Sequence, residues 1–131
     1  MNSLLIHWVA GVAAIVVVAM VIFQILLVAG LPLGHGAFGG ENQILSRKLR
    51  FLSAMTVVVF LAALYIVLAR GGILGRGNES SSLARVGIWV LALIFCVSTL
   101  ANFSSHSRVE RRLMAPIALL LTVCCVMVAL A

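Results

Sequence analysis

Charge and hydrophobicity alternate along this chain in long blocks rather than residue by residue. All charged residues fall in three short clusters. These are Glu41, Arg47, Lys48 and Arg50; then Arg70, Arg76, Glu79 and Arg85; then Arg108, Glu110, Arg111 and Arg112. Between them lie four uncharged stretches, Ser3 to Gly40, Phe51 to Ala69, Val86 to Ser107 and Leu113 to Ala131. A helix rises about 1.5 Å per residue, so about 20 residues cross a hydrocarbon core of roughly 30 Å. All four stretches suffice, the second and fourth only just. Gly30 and Pro32 end the first span, because the remainder of that stretch is rich in turn formers. The pattern predicts spans at about 4–29, 51–69, 86–106 and 114–131. Apolar runs without period-2 alternation do not suit a membrane β-barrel, so each must be a helix that satisfies its own backbone. The expected fold is all-α, a single-domain integral membrane four-helix bundle.

Composition agrees. Of 131 residues, 64% are hydrophobic and 9% charged, with a mean hydropathy of +1.27. A soluble domain carries roughly a quarter charged residues, so solubility as a monomer is excluded. The first span lacks a basic n-region and exceeds a typical signal-peptide core in length, so it is expected to be retained.

The net charge of +6 is explained by topology. Six Lys and Arg residues lie in the first and third loops and three in the second. That excess predicts cytoplasmic loops one and three, with both termini outside. Basic loops beside an anionic leaflet gain on the order of 1 kcal/mol per Lys or Arg. Arg47, Lys48, Arg50, Arg108, Arg111 and Arg112 are therefore candidate contacts for anionic lipid headgroups. Nucleic acid is a poor reading, since no soluble domain presents a basic face.

Loop one is unusual. Five of the eleven glycines fall between Gly30 and Gly40, and this uncharged segment also holds Leu31, Leu33 and Phe38. It should fold back compactly and dip into the interface or lie against the bundle, where irregular backbone needs protein or a wet cavity beside it. Leu45, Leu49 and Leu52 then recur at helical spacing, compatible with a short interfacial helix between spans one and two. Loop two, with its glycines and Ser80-Ser81-Ser82, reads as an exposed connector. Its Asn78-Glu79-Ser80 fits a glycosylation sequon, a weak match that nothing else supports. In span one, His7 and Trp8 suit the interface, and Gln24 is expected to bond across to a neighbouring helix for about 0.6 kcal/mol.

The densest chemistry surrounds the third loop. If helix three continued unbroken, Asn102, His106 and Glu110 would share one face at i, i+4 and i+8. Such a seam could hold a proton, a metal or a lipid headgroup. The structural alternative fits better: Ser107-Arg108-Val109-Glu110 is an S-x-x-E capping box ahead of an apolar run. Ser107 would cap helix four, Ser104 and Ser105 would finish helix three, and Pro116 would kink helix four beyond its first turn. Both readings share one consequence. Loops one and three emerge on the same membrane face, so the glycine segment can meet the Asn102–Glu110 seam. The candidate polar pocket comprises His35, Asn102, Ser105, His106, Ser107 and Glu110.

The segments GLPLGHGAFGGENQILSRKLRFLSA and NFSSHSRVERRLMAP resemble a group of small bacterial four-span membrane proteins. The shared patterns are P-x-G-x-x-x-F-G-G, here Pro32, Gly34, Phe38, Gly39 and Gly40, and N-x-x-S-x-S-x-x-E-R, here Asn102, Ser105, Ser107, Glu110 and Arg111, ahead of Pro116. The resemblance covers about a third of the chain. It implies an architecture and the plasma (inner) membrane of a bacterium, but no activity. Small multidrug exporters fit poorly, because they need a carboxylate in the first span and this span has none. Small fluoride channels match in size but not in their Gly-Gly-x-x-Gly-Ala segment.

Remaining chemistry is sparse. Cys96, Cys124 and Cys125 behave as small hydrophobes, and no C-x-x-C or paired-His spacing supports a metal. A haem needs facing axial ligands, whereas His35 and His106 lie near the surface and one is in a loop. No cofactor is expected. Glu110 is flanked by Arg108, Arg111 and Arg112, which suits an ion pair better than a general acid, so no catalytic residue is assigned. The sequence favours a non-enzymatic bundle that binds lipid or partner proteins, with a homo-oligomer or larger membrane complex compatible. The alternatives are a small oligomeric transporter or channel, for which Gln24, Thr56, Ser98 and Thr99 are the only mid-membrane polar candidates, and a small enzyme with its site where loops one and three meet.

Overall fold

The computed structural model describes residues 2–75, 77–78 and 80–131. Four helices dominate it: α1 (Ser3–Val28), α2 (Arg47–Arg70), α3 (Ser82–Phe103) and α4 (Ala115–Ala129), the last preceded by a π turn over Glu110–Met114. Each span is long and apolar enough to cross a membrane, the fourth when counted from Glu110. The protein is an all-α membrane helical bundle. Arg76 and Glu79, and with Glu79 the sequon of loop two, lie outside the described residues.

Three helices start at polar caps rather than where the charges stop. The side chains of Asn2, Ser46 and Ser81 accept hydrogen bonds from the backbone N–H groups of Leu4, Leu49 and Ala84. Helix α2 therefore begins inside the basic cluster, and its first turn carries Arg47, Lys48 and Arg50. A long basic side chain reaches the headgroup zone from a buried stem, so the helix need not begin beyond its charges. The expected interfacial helix is absent. Residues 41–46 are irregular, and two 3₁₀ turns, Gly34–Gly36 and Phe38–Gly40, fill loop one instead. Leu45 nevertheless buries itself against Leu27 and Ala37, which explains its apolar character without a helix.

The helices pack in a ring in which each touches its sequence neighbours, α4 closes against α1, and α2 and α4 meet weakly across the diagonal. Small residues fill the contacts: Ala10, Ala13, Ala63, Ala69, Ala84 and Ala115 are fully buried. Large ones face outward, among them Ile15 at 72% exposure and Leu93 at 65%. In lipid the outward apolar surface costs nothing, and close approach of backbones supplies the packing.

Pro116 has no N–H, and its ring would crowd the carbonyl four residues back in a regular α-helix. The chain widens by one residue just before it: the N–H of Ala115 donates to the carbonyl of Glu110, five residues earlier. The distortion expected at Pro116 takes this form.

Polarity divides the bundle into two halves. Among the described residues the buried polar side chains are Gln24, Ser53, Thr99 and Glu110. All sit near the end bearing loops one and three. The other half is an apolar cluster containing Ile6, Ala10, Val67, Ile88 and Val128. Ser53 Oγ donates to Gln24 Oε1 across the α1–α2 contact, the interhelical bond expected for that amide. Ser53→Ala is expected to lower stability by about 0.6–1.7 kcal/mol, measured by reversible unfolding in mixed micelles. An unchanged midpoint would mean that this bond contributes nothing to the α1–α2 pair.

Candidate functional site

Loops one and three meet at one end of the bundle, and a few hydroxyls join them. Ser107 Oγ donates to the carbonyl of His35 and accepts from the N–H of Glu110. It thus caps the start of the fourth span and pins loop one to it. The reciprocal arm of the capping box is indirect. The N–H of Ser107 donates to Ser105 Oγ at 3.1 Å, and Ser105 Oγ donates to Glu110 Oε1 at 2.9 Å. Glu110 is held by a serine relay rather than by the free amide that a simple capping box would offer it.

Loop one accepts this contact because glycine leaves room for it. Gly40 has φ +72°, and a Cβ there would lie 2.5 Å from Ser107 Cβ and 2.8 Å from the carbonyl oxygen of His35. The base of the loop is closed by a hydrogen bond of 2.8 Å from the N–H of Gly34 to the carbonyl of Gln43. Phe38 adopts φ +51°, the one left-handed non-glycine among the described residues. Such a conformation costs an L-residue about 1–2 kcal/mol and is held by its surroundings.

Beneath this double loop lies a cavity of about 240 Å³ among all four helices. Its polar end is formed by Gln24, Asn102, Glu110 and the Gly36–Phe38 segment. Its walls are apolar, chiefly Met20, Phe60, Phe95, Met114 and Leu121, with Thr56 and Ser98 partway along. Val59 of α2 and Ile94 of α3 line it and are also exposed on the bundle's outer surface. The cavity therefore opens sideways between α2 and α3, toward the space that lipid chains occupy.

Polar capacity remains unused at the closed end. Glu110 is 7% exposed, and only its Oε1 has a hydrogen-bond partner among the described residues. Asn102 donates through Nδ2 to the carbonyl of Ser98, and its Oδ1 has no donor among the described residues. Gln24 accepts at Oε1 from Ser53, and its amide N–H groups have no acceptor among the described residues.

The sequence-derived pocket residues divide into three groups. Asn102 and Glu110 line the cavity. Ser105 and Ser107 build its frame and do not line it. His35 and His106 are exposed, and the ring of His35 pairs with the carbonyl of Gly40. The single-face seam does not form, because α3 ends at Phe103 and the chain turns at Ser104 before His106. No group of three or more His, Cys, Asp or Glu able to hold a metal occurs among the described residues.

The basic residues surround the same end. Arg47, Lys48, Arg108 and Arg112 are exposed, and Arg50 and Arg111 are half-buried. Arg50 covers the backbone of Gly30. Arg111 donates to the carbonyl of Ser105 at 2.8 Å, so the arginine nearest Glu110 in sequence braces its serine partner rather than its carboxylate. Sequence reading missed the walls Met20, Phe60 and Phe95, which carry no polar signal. Gln24, Thr56 and Ser98 were legible only as isolated intramembrane polar groups.

Compared with known proteins, the chain matches no family model, no curated protein and no solved structure.

Gly40→Ala should destabilise the protein more than Gly39→Ala. Both need left-handed backbone, at about 1–2 kcal/mol each, but a Cβ at Gly39 meets open space and one at Gly40 meets Ser107. Thermal unfolding of the two variants in detergent checks this, and equal losses would mean that the loops do not touch at Gly40. Ser107→Ala should cost about 0.5–2 kcal/mol as a lost helix cap in the same assay. Retention of full stability would remove Ser107 as the link between the loops.

Proposed function

We propose that this protein is a non-enzymatic membrane helical bundle that binds a single-chain amphiphile, or one chain of a lipid, in the cavity between its helices. The observation that carries this reading is the form of the cavity: a polar end under the joined loops, apolar walls, and the exposure of its lining residues Val59 and Ile94 on α2 and α3. Small-molecule sites typically occupy roughly 300–1,000 Å³, so about 240 Å³ suits a head and part of one chain. An apolar chain loses nothing on passing from bilayer to cavity, so polar groups at the end set the selectivity.

The basic rim supports a second, outer contact. Arg47, Lys48, Arg108 and Arg112 present exposed charge at the end bearing loops one and three, suited to anionic headgroups. By the positive-inside rule this end faces the cytoplasm and both termini face outward. The resemblance of the two loop motifs to small bacterial four-span proteins favours the plasma (inner) membrane of a bacterium. A homo-oligomer would bury part of the outward apolar surface.

Conduction through one chain is disfavoured by the apolar half of the bundle, where Ile6, Val67, Ile88 and Val128 fill the interior. Catalysis is disfavoured by the exposure of both loop histidines and the engagement of the serines in framework bonds. Photo-crosslinking in bilayers with a diazirine-bearing alkyl alcohol tests the binding reading. Label is expected at Val59, Phe60, Ile94 and Phe95 and should fall several-fold in Ser98→Trp, which fills the cavity. Label spread evenly over outward residues such as Ile15 and Leu120, and unaffected by Ser98→Trp, would overturn it.

A further inference from the structure

We infer that the cavity selects amphiphiles whose head carries an ammonium group and rejects those with a carboxylate or phosphate head. This rests on the proposed binding function and adds the chemical class of the head. Its basis is the pattern of hydrogen-bond capacity left over once the framework bonds are formed.

Glu110 and Asn102 line the polar end, and the second oxygen of Glu110 and Oδ1 of Asn102 have no donor among the described residues. Glu110 is more than nine-tenths buried and is the only charged side chain lining the cavity among the described residues. A primary ammonium has three N–H donors and no acceptor, so it suits a wall that offers free oxygens and a negative charge. A hydroxyl offers a single donor and no compensating charge. An anionic head sets like charge against like beside Glu110, where little water screens it.

The neighbouring arginines do not reverse this preference. Arg108 and Arg112 are exposed, and their charge is screened by water and lipid headgroups. Arg111 is turned toward the carbonyl of Ser105. An ammonium head reaching Glu110 from the bilayer passes between α2 and α3, where the described lining is uncharged, and so avoids the basic rim. The two contacts are then complementary: the outer rim holds anionic headgroups, and the inner end holds cationic ones. Gln24 lines the same end, and its amide N–H groups have no acceptor among the described residues, so an ammonium with a neighbouring hydroxyl suits the lining better than an amine alone.

Competition against the bound diazirine-bearing alkyl alcohol, in bilayers, separates the possibilities. The competitors are dodecylamine, 2-aminododecan-1-ol, dodecanol, dodecanoate, dodecyl phosphate and the chainless ethylamine. The two amines are expected to displace the probe at concentrations about tenfold or more below dodecanoate and dodecyl phosphate. Ethylamine should fail at any comparable concentration, which assigns the ligand to the bilayer rather than to the aqueous phase. Glu110→Gln keeps the acceptor for Ser105 and removes the charge, and should collapse the amine preference to about twofold or less while dodecanol still competes. Asn102→Leu should weaken amine competition with Glu110 intact. Equal competition by amines and carboxylates, or a preference that survives Glu110→Gln, would overturn the head assignment while leaving the cavity reading in place. Failure of every competitor and of the probe itself would remove both.

Discussion

One hydroxyl holds the two loops at one end of this bundle together. Ser107 Oγ satisfies the first free amide of the fourth span and, through its own proton, the carbonyl of His35 in loop one. Irregular backbone near a bilayer must be covered by protein or water, because lipid offers no hydrogen bonds. Loop one is eighteen residues of chain outside the long helices, between Val28 and Arg47, and loop three holds it through Ser107. The glycine at position 40 is the space that this contact needs. The relay from Ser107 through Ser105 holds Glu110, which lines the cavity.

That contact also divides the molecule. Toward loop two, helices close on small residues, and no buried residue there is polar among the described residues. Toward loops one and three, the double loop holds the helix ends apart enough for a cavity and brings buried polar side chains to its end. The π turn before Pro116 contributes by widening the backbone where Glu110 and Met114 enter the bundle. A carboxylate at that depth is expensive unless it is paired, and among the described residues one hydroxyl bonds one of its oxygens. The serine frame keeps Glu110 fixed in the absence of any ligand.

The spans were legible because charges mark loops and a bilayer sets a minimum helix length. Their ends were less so: Ser46 and Ser81 start helices inside charged segments, where a charge-based boundary falls several residues late. The capping role of Ser107 could be read from its spacing to Glu110. The role of Ser105 could not, since a hydroxyl two residues before a cap has no pattern of its own. A shared face for Asn102, His106 and Glu110 required an unbroken helix, and Ser104 breaks it. Cavity walls such as Met20, Phe60 and Phe95 are invisible to pattern, because inward and outward positions are equally apolar in a membrane helix. Leu45 looked like the face of an interfacial helix and proved to be a buried anchor of the loop.

The cavity, its polar end and the sidedness of the molecule all depend on loop one and loop three being joined at one membrane surface. Paired cysteines at the exposed positions His35 and His106, in a Cys96→Ala background, measure this directly with a short membrane-impermeant bismaleimide. The account predicts efficient intramolecular cross-linking of this pair in intact bilayers and none for His35 paired with Ser80 of loop two. Cross-linking of the second pair, or labelling of the His35 and His106 positions from opposite sides of the membrane, would contradict it.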